Sequence, residues 1–274
     1  MTTLENYPLG YSEGEAKRLM KQGAMLEDLT ADLLSRAGLA PGMRVLDVGC
    51  GVGDVSLLAV RIVGKKGSVL GIDRSAASLE IARGRAEFCE TANIWFAEAD
   101  LNTFEPCGDF DAIIGRFVLL YVPERASMLR RLTQSLRRGG VMAMQEYDIS
   151  SLAEAPESPL FARYRRWIVD GFTSAGAELD TGSKLYATFI QAGLPPPQMV
   201  SAQLVHSGHE PTGYEHATQV LRSLLPTLER SGVATATEIE IDTLAERLRE
   251  DAVARHAVMF TPRLVGAWAR AMQP

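Results

Sequence analysis

Short apolar runs alternate with amphipathic segments along the first 150 residues. Apolar runs bounded by Gly, Asp or Pro predict buried strands, and apolar residues recurring every three or four positions predict helices. The predicted strands are 44–48, 68–72, 93–97, 110–115 and 141–147, and the predicted helices are 12–37, 54–63, 75–89 and 123–138. This alternation indicates a parallel sheet with helices on both faces.

The pattern is looser after residue 150. It predicts helices over 159–175, 182–193, 212–230 and 237–255, a loop over 150–159 and a strand over 199–205. The last segment, 257–271, begins with a strand-like piece at 258–260 and continues as a helix or as extended chain. No internal repeat and no low-complexity tract interrupts the chain.

The most informative segment is RVLDVGCGVG at 44–53, where a buried strand breaks into glycines at Gly49, Gly51 and Gly53. Glycine tolerates positive φ and leaves no Cβ between the backbone and a ligand. The first turn of the next helix presents free N–H groups toward such a loop. Twenty residues after the last glycine, the next strand ends in Asp73, whose carboxylate can accept both hydroxyls of a ribose.

Two classes of nucleoside cofactor compete for this pattern. The dinucleotide fingerprint is G-x-G-x-x-G, with a diphosphate at the helix N-terminus. Here the spacing is G-x-G-x-G, Asp54 follows the last glycine and Asp47 precedes the loop. Acids at these places disfavour a diphosphate and tolerate a cationic ligand, such as a sulfonium with an ammonium group. An NAD- or nucleotide-sugar-binding Rossmann enzyme is the alternative.

The string DVGCGVGDVS resembles the first motif of class I S-adenosylmethionine (SAM) methyltransferases, and the resemblance extends over about residues 40–147. Residues 71–75 resemble the second motif, which implies that Asp73 binds the ribose and Arg74 lies against the adenine. The other interpretation of Asp73 is a helix N-cap. Residues 98–101 resemble the adenine motif, which implies contacts from Asp100 and Leu101; the alternative is an ordinary acidic loop.

Residues 110–122 resemble the fourth motif, a central strand and the loop at the methionine end of the cofactor. The resemblance implies that backbone carbonyls of Gly115 and Arg116 hold the ammonium group. Phe117 and Tyr121 then wall the methyl-transfer site, unless they are plain core residues.

The family also often closes its cofactor pocket with an N-terminal helix. Here that helix offers Tyr11, Arg18 and Gln22 to the methionine carboxylate, with a solvated surface role as the alternative.

The resemblance is to the small-molecule group that includes ubiquinone and menaquinone biosynthesis methyltransferases. It implies a doubly wound, mostly parallel seven-stranded sheet with an N-terminal helix and helical cap insertions. We expect a segment at 1–38 that closes the pocket, a SAM-binding core at 39–150, and the rest of the sheet at 151–274. Insertions at about 151–180 and 211–254 are expected to build the acceptor pocket. SAM is the implied cofactor, and S-adenosylhomocysteine the product.

Methyl transfer from a sulfonium mainly needs alignment and exclusion of water, so a base matters only if the acceptor must lose a proton. The candidate bases are Glu146, His206 and His209. The two histidines could instead belong to a polar loop, and no metal is expected. Trp167 lies in an aromatic set that either lines the acceptor pocket or packs its own helix on the core. A non-catalytic SAM-binding protein and a protein-modifying methyltransferase are further alternatives.

The composition of the chain excludes several classes of partner and site. The net charge is −6 and there is no Lys/Arg cluster, which argues against a nucleic-acid partner. Three scattered cysteines predict neither a disulfide framework nor a zinc site. No apolar run has the length of a membrane span, and the first residues lack a signal-peptide pattern. We therefore expect a cytoplasmic protein with a small-molecule acceptor, no nucleic-acid partner and no membrane span; a homodimer is left open.

Overall fold

The computed structural model describes residues 13–105 and 107–271. The helices are α1 (Glu13–Ala37), α2 (Asp54–Val63), α3 (Ala76–Phe88), α4 (Arg125–Thr133), α5 (Pro159–Ser174), α6 (Thr181–Gln191), α7 (Thr212–Arg230), α8 (Ala236–Ile239) and α9 (Leu244–Ala254). The strands are β1 (Arg44–Val48), β2 (Ser68–Asp73), β3 (Ile94–Glu98), β4 (Phe110–Arg116), β5 (Leu136–Asp148), β6 (Ala153–Ala155), β7 (Gln198–Ala202), β8 (Val205–Ser207), β9 (Val258–Phe260) and β10 (Arg263–Arg270). None of the described helices is long and apolar enough to span a membrane.

The chain divides into two compact units. The first, called here the sheet unit, comprises Leu19–Glu146, Thr181–Ser201 and the described chain from Val265 on. The second, called the helical unit, comprises Tyr147–Asp180, Ala202–Leu264 and the described residues up to Arg18. The helical unit contains both segments that we expect to be insertions.

The sheet unit is built on seven strands in the order β3-β2-β1-β4-β5-β10-β7, and the first five run parallel to one another. From β1 the chain moves outward through β2 and β3, then returns to place β4 on the other side of β1. In such sheets, ligands bind beyond the carboxyl ends of the strands where the winding direction reverses. The doubly wound fold predicted from sequence is confirmed, and the reversal lies between β1 and β4.

The two central strands are buried because both faces of the sheet are covered. Four of the five residues of β1 are buried, and so are the first six of β4. One apolar cluster surrounds Phe110, Leu119 and Phe189; another surrounds Val45, Ala59 and Trp268. Continuous apolar runs of this kind are typical of parallel strands with helices on both sides.

The helical unit has its own small core. Its three strands form an antiparallel sheet in the order β6-β9-β8, and α5 packs against α7 and α9. Phe161, Tyr164 and Phe172 of α5 are buried, and the Tyr164 hydroxyl donates to the carbonyl of Ala217 at 3.3 Å. These three aromatic residues therefore pack their own helix, which was one of the two interpretations of the aromatic set.

One predicted boundary is wrong. The predicted helix over 123–138 ends at Thr133, and β5 already begins at Leu136. Leu136 pairs with Phe110 of β4, and the Phe110 amide donates to the carbonyl of Ser135 at 2.8 Å. The helical spacing of the sequence continues through Arg137 and Arg138, but pairing of this segment with the central sheet overrides it.

Three segments after residue 150 are also more divided than their patterns predict, and the tail takes one of its two predicted forms. The strand predicted over 199–205 is two strands, β7 and β8, in different sheets. The helix predicted over 237–255 is split into α8 and α9, because Glu240 ends α8 with a left-handed φ of 52°. The loop predicted over 150–159 contains β6, and the tail is the extended strand β10.

Candidate functional site

The loop after β1 has the backbone that its glycines predict. Gly49, Gly51 and Gly53 have φ values of 64°, 53° and 86°, all in the left-handed region. A Cβ on Gly49 would lie 2.6 Å from Cγ2 of Val118, so a side chain there would clash with the chain after β4. A Cβ on Gly51 would have no described heavy atom within 4 Å. The loop is therefore packed against Val118 at Gly49 and has free space next to Gly51.

Asp73 is joined to this loop. Its Oδ2 accepts the Gly51 N–H at 2.8 Å, and its Oδ1 accepts the Ser75 N–H at 2.8 Å. The N-cap of α3 is Ser75, whose hydroxyl accepts the Ser78 N–H, so Asp73 is not itself the cap. Because a carboxylate has about four acceptor positions, two backbone bonds leave room for two hydroxyl donors. The geometry suits a carboxylate that fixes the loop and accepts a ribose at once.

The other two acids near the loop are engaged inside the protein. Asp47 is buried and its Oδ2 accepts the Ser56 hydroxyl at 2.5 Å, and burial raises the pKa of Asp47 to about 7. Asp54 lies 2.8 Å from Arg85, and although Arg85 opposes the effect, burial raises the pKa of Asp54. The argument that Asp47 and Asp54 disfavour a diphosphate therefore needs correction, and the choice of cofactor class depends mainly on Asp73.

The chain beyond β4 holds the residues predicted to meet the methionine end. Gly115 leaves no space for a side chain, since a Cβ would lie 2.7 Å from Met144 Cε and 3.0 Å from Val48 Cγ2. The Arg116 guanidinium donates to Thr30 Oγ1 of α1 at 2.9 Å and lies 5.7 Å from the centroid of the Phe117 ring. Phe117 has a φ of 60°, an unusual value for a residue with a bulky side chain.

Glu146 of β5 holds the turn that follows Phe117. Its Oε1 accepts the N–H groups of Val118 at 2.9 Å and Leu119 at 2.8 Å, while its Oε2 has no hydrogen-bond partner in the described chain. The side chain is fully buried, and this burial raises the pKa of Glu146 to about 7 against the lowering effect of the backbone donors. The same turn continues to Tyr121, which is half-buried.

Of the other residues predicted to bind the cofactor, Asp100 is exposed and its Oδ1 accepts the backbone N–H of Asn102 at 2.9 Å. Leu101 is half-buried against the core, and its carbonyl accepts from Arg131. Arg74 is half-buried. The adenine-side assignments stay predictions.

Three residues of the N-terminal segment are predicted to contact the methionine carboxylate: Tyr11, Arg18 and Gln22. Tyr11 lies outside the described residues. Gln22 is buried in the sheet unit. Arg18 is buried in the helical unit, where its guanidinium donates to Glu15 at 2.8 and 2.6 Å. The solvated surface role that we left open for Arg18 and Gln22 is therefore wrong.

The remaining predicted residues belong to the helical unit. His206 of β8 packs its ring against Gly213 of α7, and its Nε2 is buried with no hydrogen-bond partner among the described residues. Burial lowers the pKa of His206. His209 is exposed, and Trp167 of α5 is half-buried. Within the described ranges, no three His, Cys, Asp or Glu side chains are grouped to hold a metal ion.

A recess of about 380 Å³ lies in the sheet unit among α1, α2 and α3. Asp54 and Arg116 line it, whereas Gly51 and Asp73 are not among its lining residues. The recess therefore does not identify the cofactor position, and the assignment depends on the glycine loop and Asp73.

Sequence reasoning missed two polar residues of this region. The Thr30 hydroxyl donates to Gln145 Oε1 at 2.9 Å, and the Gln145 carbonyl accepts the Phe117 N–H at 2.9 Å. The two residues are 115 positions apart, and neither belongs to a motif. Only the adjacency of β4 and β5 under α1 brings them together.

The comparisons agree with this geometry. The family model described as "Methyltransferase domain" matches residues 39–193. A 2-phytyl-1,4-naphtoquinone methyltransferase of Synechococcus elongatus is 35% identical over 136 residues, covering 47% of this chain and 56% of that protein. A trans-aconitate 2-methyltransferase of Methylobacterium nodulans is 38% identical over 119 residues, 43% of each chain. This chain thus spans about half the length of these curated relatives.

A longer match has lower identity. The ubiquinone/menaquinone biosynthesis C-methyltransferase UbiE of Ectopseudomonas mendocina is 26% identical over 187 residues, covering 66% of this chain and 71% of that one. Among solved structures, the YcgJ protein of Bacillus subtilis superimposes with a TM-score of 0.59 at 16% identity, covering 90% of this chain and 100% of that chain. At this identity the structural likeness bears on the fold alone.

Proposed function

Because this chain belongs to the methyltransferase-domain family, we propose that it is a SAM-dependent methyltransferase that acts on a small-molecule acceptor. SAM, when bound, supplies a methyl group on a sulfonium, which is already a good leaving group. The protein then has to align the acceptor with that carbon and exclude water. S-adenosylhomocysteine is the proposed product.

One observation carries the proposal: the carboxylate of Asp73 lies 2.8 Å from the Gly51 amide of the glycine loop. A backbone N–H of the kind that would face a diphosphate is here occupied by a carboxylate. A second negative group at this position would be repelled, whereas ribose hydroxyls find acceptors. This arrangement supports an adenosyl ligand over a dinucleotide.

We assign the methionine end of the cofactor to the chain after β4. The backbone carbonyls of Gly115 and Arg116 would hold the ammonium group, and Gln22 and Tyr11 are proposed for the carboxylate. Phe117 and Tyr121 would wall the transfer site and keep water from it. Asp100, Leu101 and Arg74 are proposed for the adenine.

The candidate residues of the acceptor side belong to the helical unit. Burial lowers the pKa of His206, which favours the neutral imidazole, the form that a base needs. His206 and His209 are therefore retained as candidate bases for an acceptor that must lose a proton, and Trp167 as a candidate wall of the acceptor pocket. The curated relatives are named for two different acceptors, 2-phytyl-1,4-naphtoquinone and trans-aconitate, so the proposal names no single acceptor.

The proposal is tested by binding of S-adenosylhomocysteine, measured by isothermal titration calorimetry. Asp73→Ala is expected to weaken binding by about 1–3 kcal/mol, because charge-assisted hydrogen bonds are lost. Asp111→Ala is the matched control. Asp111 also accepts a backbone N–H, that of Arg44 at 2.6 Å, but it lies near the beginning of β4, whereas Asp73 ends β2, so its loss should leave the affinity unchanged.

NAD⁺ is titrated in parallel, since a dinucleotide-binding Rossmann enzyme is the alternative. Binding of NAD⁺ without binding of S-adenosylhomocysteine would reverse the assignment. Equal affinity of wild type and Asp73→Ala for S-adenosylhomocysteine would refute the ribose role while leaving the cofactor class intact.

A further inference from the structure

We propose that Glu146 is a positioning residue for the chain segment Phe117–Leu119, called here the β4 turn, and that it does not exchange a proton with the acceptor. The inference deepens the proposed function, on which it rests, because the β4 turn follows the carbonyls assigned to the ammonium group. It replaces the candidate base role of Glu146 with a role exerted through the backbone.

The first step is the conformation of Phe117. Its φ of 60° lies in a region that non-glycine residues with bulky side chains rarely occupy. Such a conformation persists only when the surrounding structure over-determines it. Something outside the local sequence must therefore hold the chain here.

The second step identifies what holds it. The Phe117 N–H donates to the carbonyl of Gln145 at 2.9 Å, and the next two N–H groups both donate to Glu146 Oε1. Three consecutive amides of the β4 turn are thus bound by two consecutive residues of β5. A single carboxylate oxygen accounts for the last two.

The third step concerns access. The Glu146 side chain has no exposed surface, and its Oε1 is occupied by backbone donors. A general base must come within hydrogen-bond reach of the proton that it removes. A carboxylate enclosed in this way holds the amides of Val118 and Leu119 in place, and in this structure it presents no exposed surface to an acceptor.

The hydrogen bonds require only an acceptor oxygen, not a proton-accepting base. Glu146→Gln keeps that oxygen, whereas Glu146→Ala removes it. Phe117→Gly supplies a residue that adopts positive φ freely, so it should lower the need for Glu146. Glu146→Ala, Phe117→Gly and the double variant Glu146→Ala/Phe117→Gly form, with the wild type, a cycle that measures the coupling between Glu146 and Phe117.

The measured quantity is the dissociation constant for S-adenosylhomocysteine at pH 7. We expect Glu146→Ala to raise it about tenfold or more, and Glu146→Gln to stay within about threefold of wild type. In the Phe117→Gly background, loss of Glu146 should raise it by less than about threefold. Amide exchange at Val118 and Leu119 should accelerate in Glu146→Ala and not in Glu146→Gln.

The matched control is Asp111→Ala. Asp111 is a buried carboxylate near the other end of β4, and its Oδ2 accepts the Arg44 N–H at 2.6 Å. Its removal should lower stability as Glu146→Ala does, yet leave the dissociation constant within about threefold of wild type. An equal loss of affinity in Glu146→Ala and Asp111→Ala would mean that Glu146 acts only through general stability, and it would overturn the inference.

Two further outcomes separate the hypotheses. A loss of affinity in Glu146→Gln as large as in Glu146→Ala, or full additivity in the cycle, would overturn the positioning role. Failure of wild type to bind S-adenosylhomocysteine would instead refute the proposed function. Even if wild type does not bind S-adenosylhomocysteine, accelerated amide exchange confined to Val118 and Leu119 in Glu146→Ala would still support the role of Glu146 in positioning the β4 turn.

Discussion

The raised pKa of Glu146 makes the stability of the protein depend on pH in a defined direction. The pKa of this carboxyl is about 7 in the folded chain, raised from an ordinary 4.5 by burial. Between these two values the folded state holds a proton that the unfolded state has released. Stability from this group is therefore fully present below about pH 4.5, falls as the pH rises, and levels off above about pH 7.

The size of the effect follows from the shift. One pKa unit corresponds to about 1.36 kcal/mol, so a change from 4.5 to about 7 gives about 3 kcal/mol. Because the side chain is fully buried, solvent screening does not reduce this value. Glu146→Gln has no titration at this position and mimics the protonated form. Its stability relative to wild type should rise by about 2–3 kcal/mol between pH 5 and pH 8.

The assay is equilibrium urea unfolding of both proteins at several pH values, followed by tryptophan fluorescence. Comparison at the same pH cancels the contribution of Asp47, whose pKa is also raised by burial to about 7. A difference in the free energy of unfolding that stays constant from pH 5 to pH 8 would refute the reasoning. A difference that falls with rising pH would show that the carboxylate form is the favoured one in the fold.

Two predictions concern packing and ion pairing. Phe189→Ala should lower the free energy of unfolding in urea by about 3–5 kcal/mol, because Phe189 is fully buried in α6. Ile190→Ala, at the exposed neighbouring site, should lower it by less than about 0.5 kcal/mol. Equal losses in the two variants would contradict the assigned core. Arg255→Ala should cost about 1.5–3 kcal/mol. Arg255 donates to the buried carboxylate of Glu154 at 2.6 Å, so the variant removes the charged donor from an oxygen that also accepts the Ser158 N–H at 2.9 Å. A cost below about 0.5 kcal/mol would show that Glu154 finds another partner or takes up a proton.

Local sequence was sufficient for the first half of the fold. The predicted bounds of β1 and α2 match those observed, because a buried apolar run and a following helix each carry their own periodicity. The left-handed φ values at Gly49, Gly51 and Gly53 were likewise predictable, since glycine is the residue that adopts them without strain. The alternation of strands and helices predicted a parallel sheet with helices on both faces, whereas the reversal of winding between β1 and β4 is known only from the strand order of the structure.

Contacts between distant segments decided what the patterns could not. Leu136 leaves a helical pattern because it pairs with Phe110, and Asp54 loses its expected role because Arg85 of another helix reaches it. Neither partner is visible in the local pattern of residues.

The chain by itself determined a doubly wound sheet with a glycine loop and an acid after the second strand. Only the tertiary structure decided which charges remain available to a ligand and how the β4 turn is held. Periodicity and glycine content act over a few residues, so one sequence window contains them. The burial that raises the pKa of Glu146, and the bonds that it makes to Val118 and Leu119, arise from strands about 30 residues apart that meet only in the folded chain.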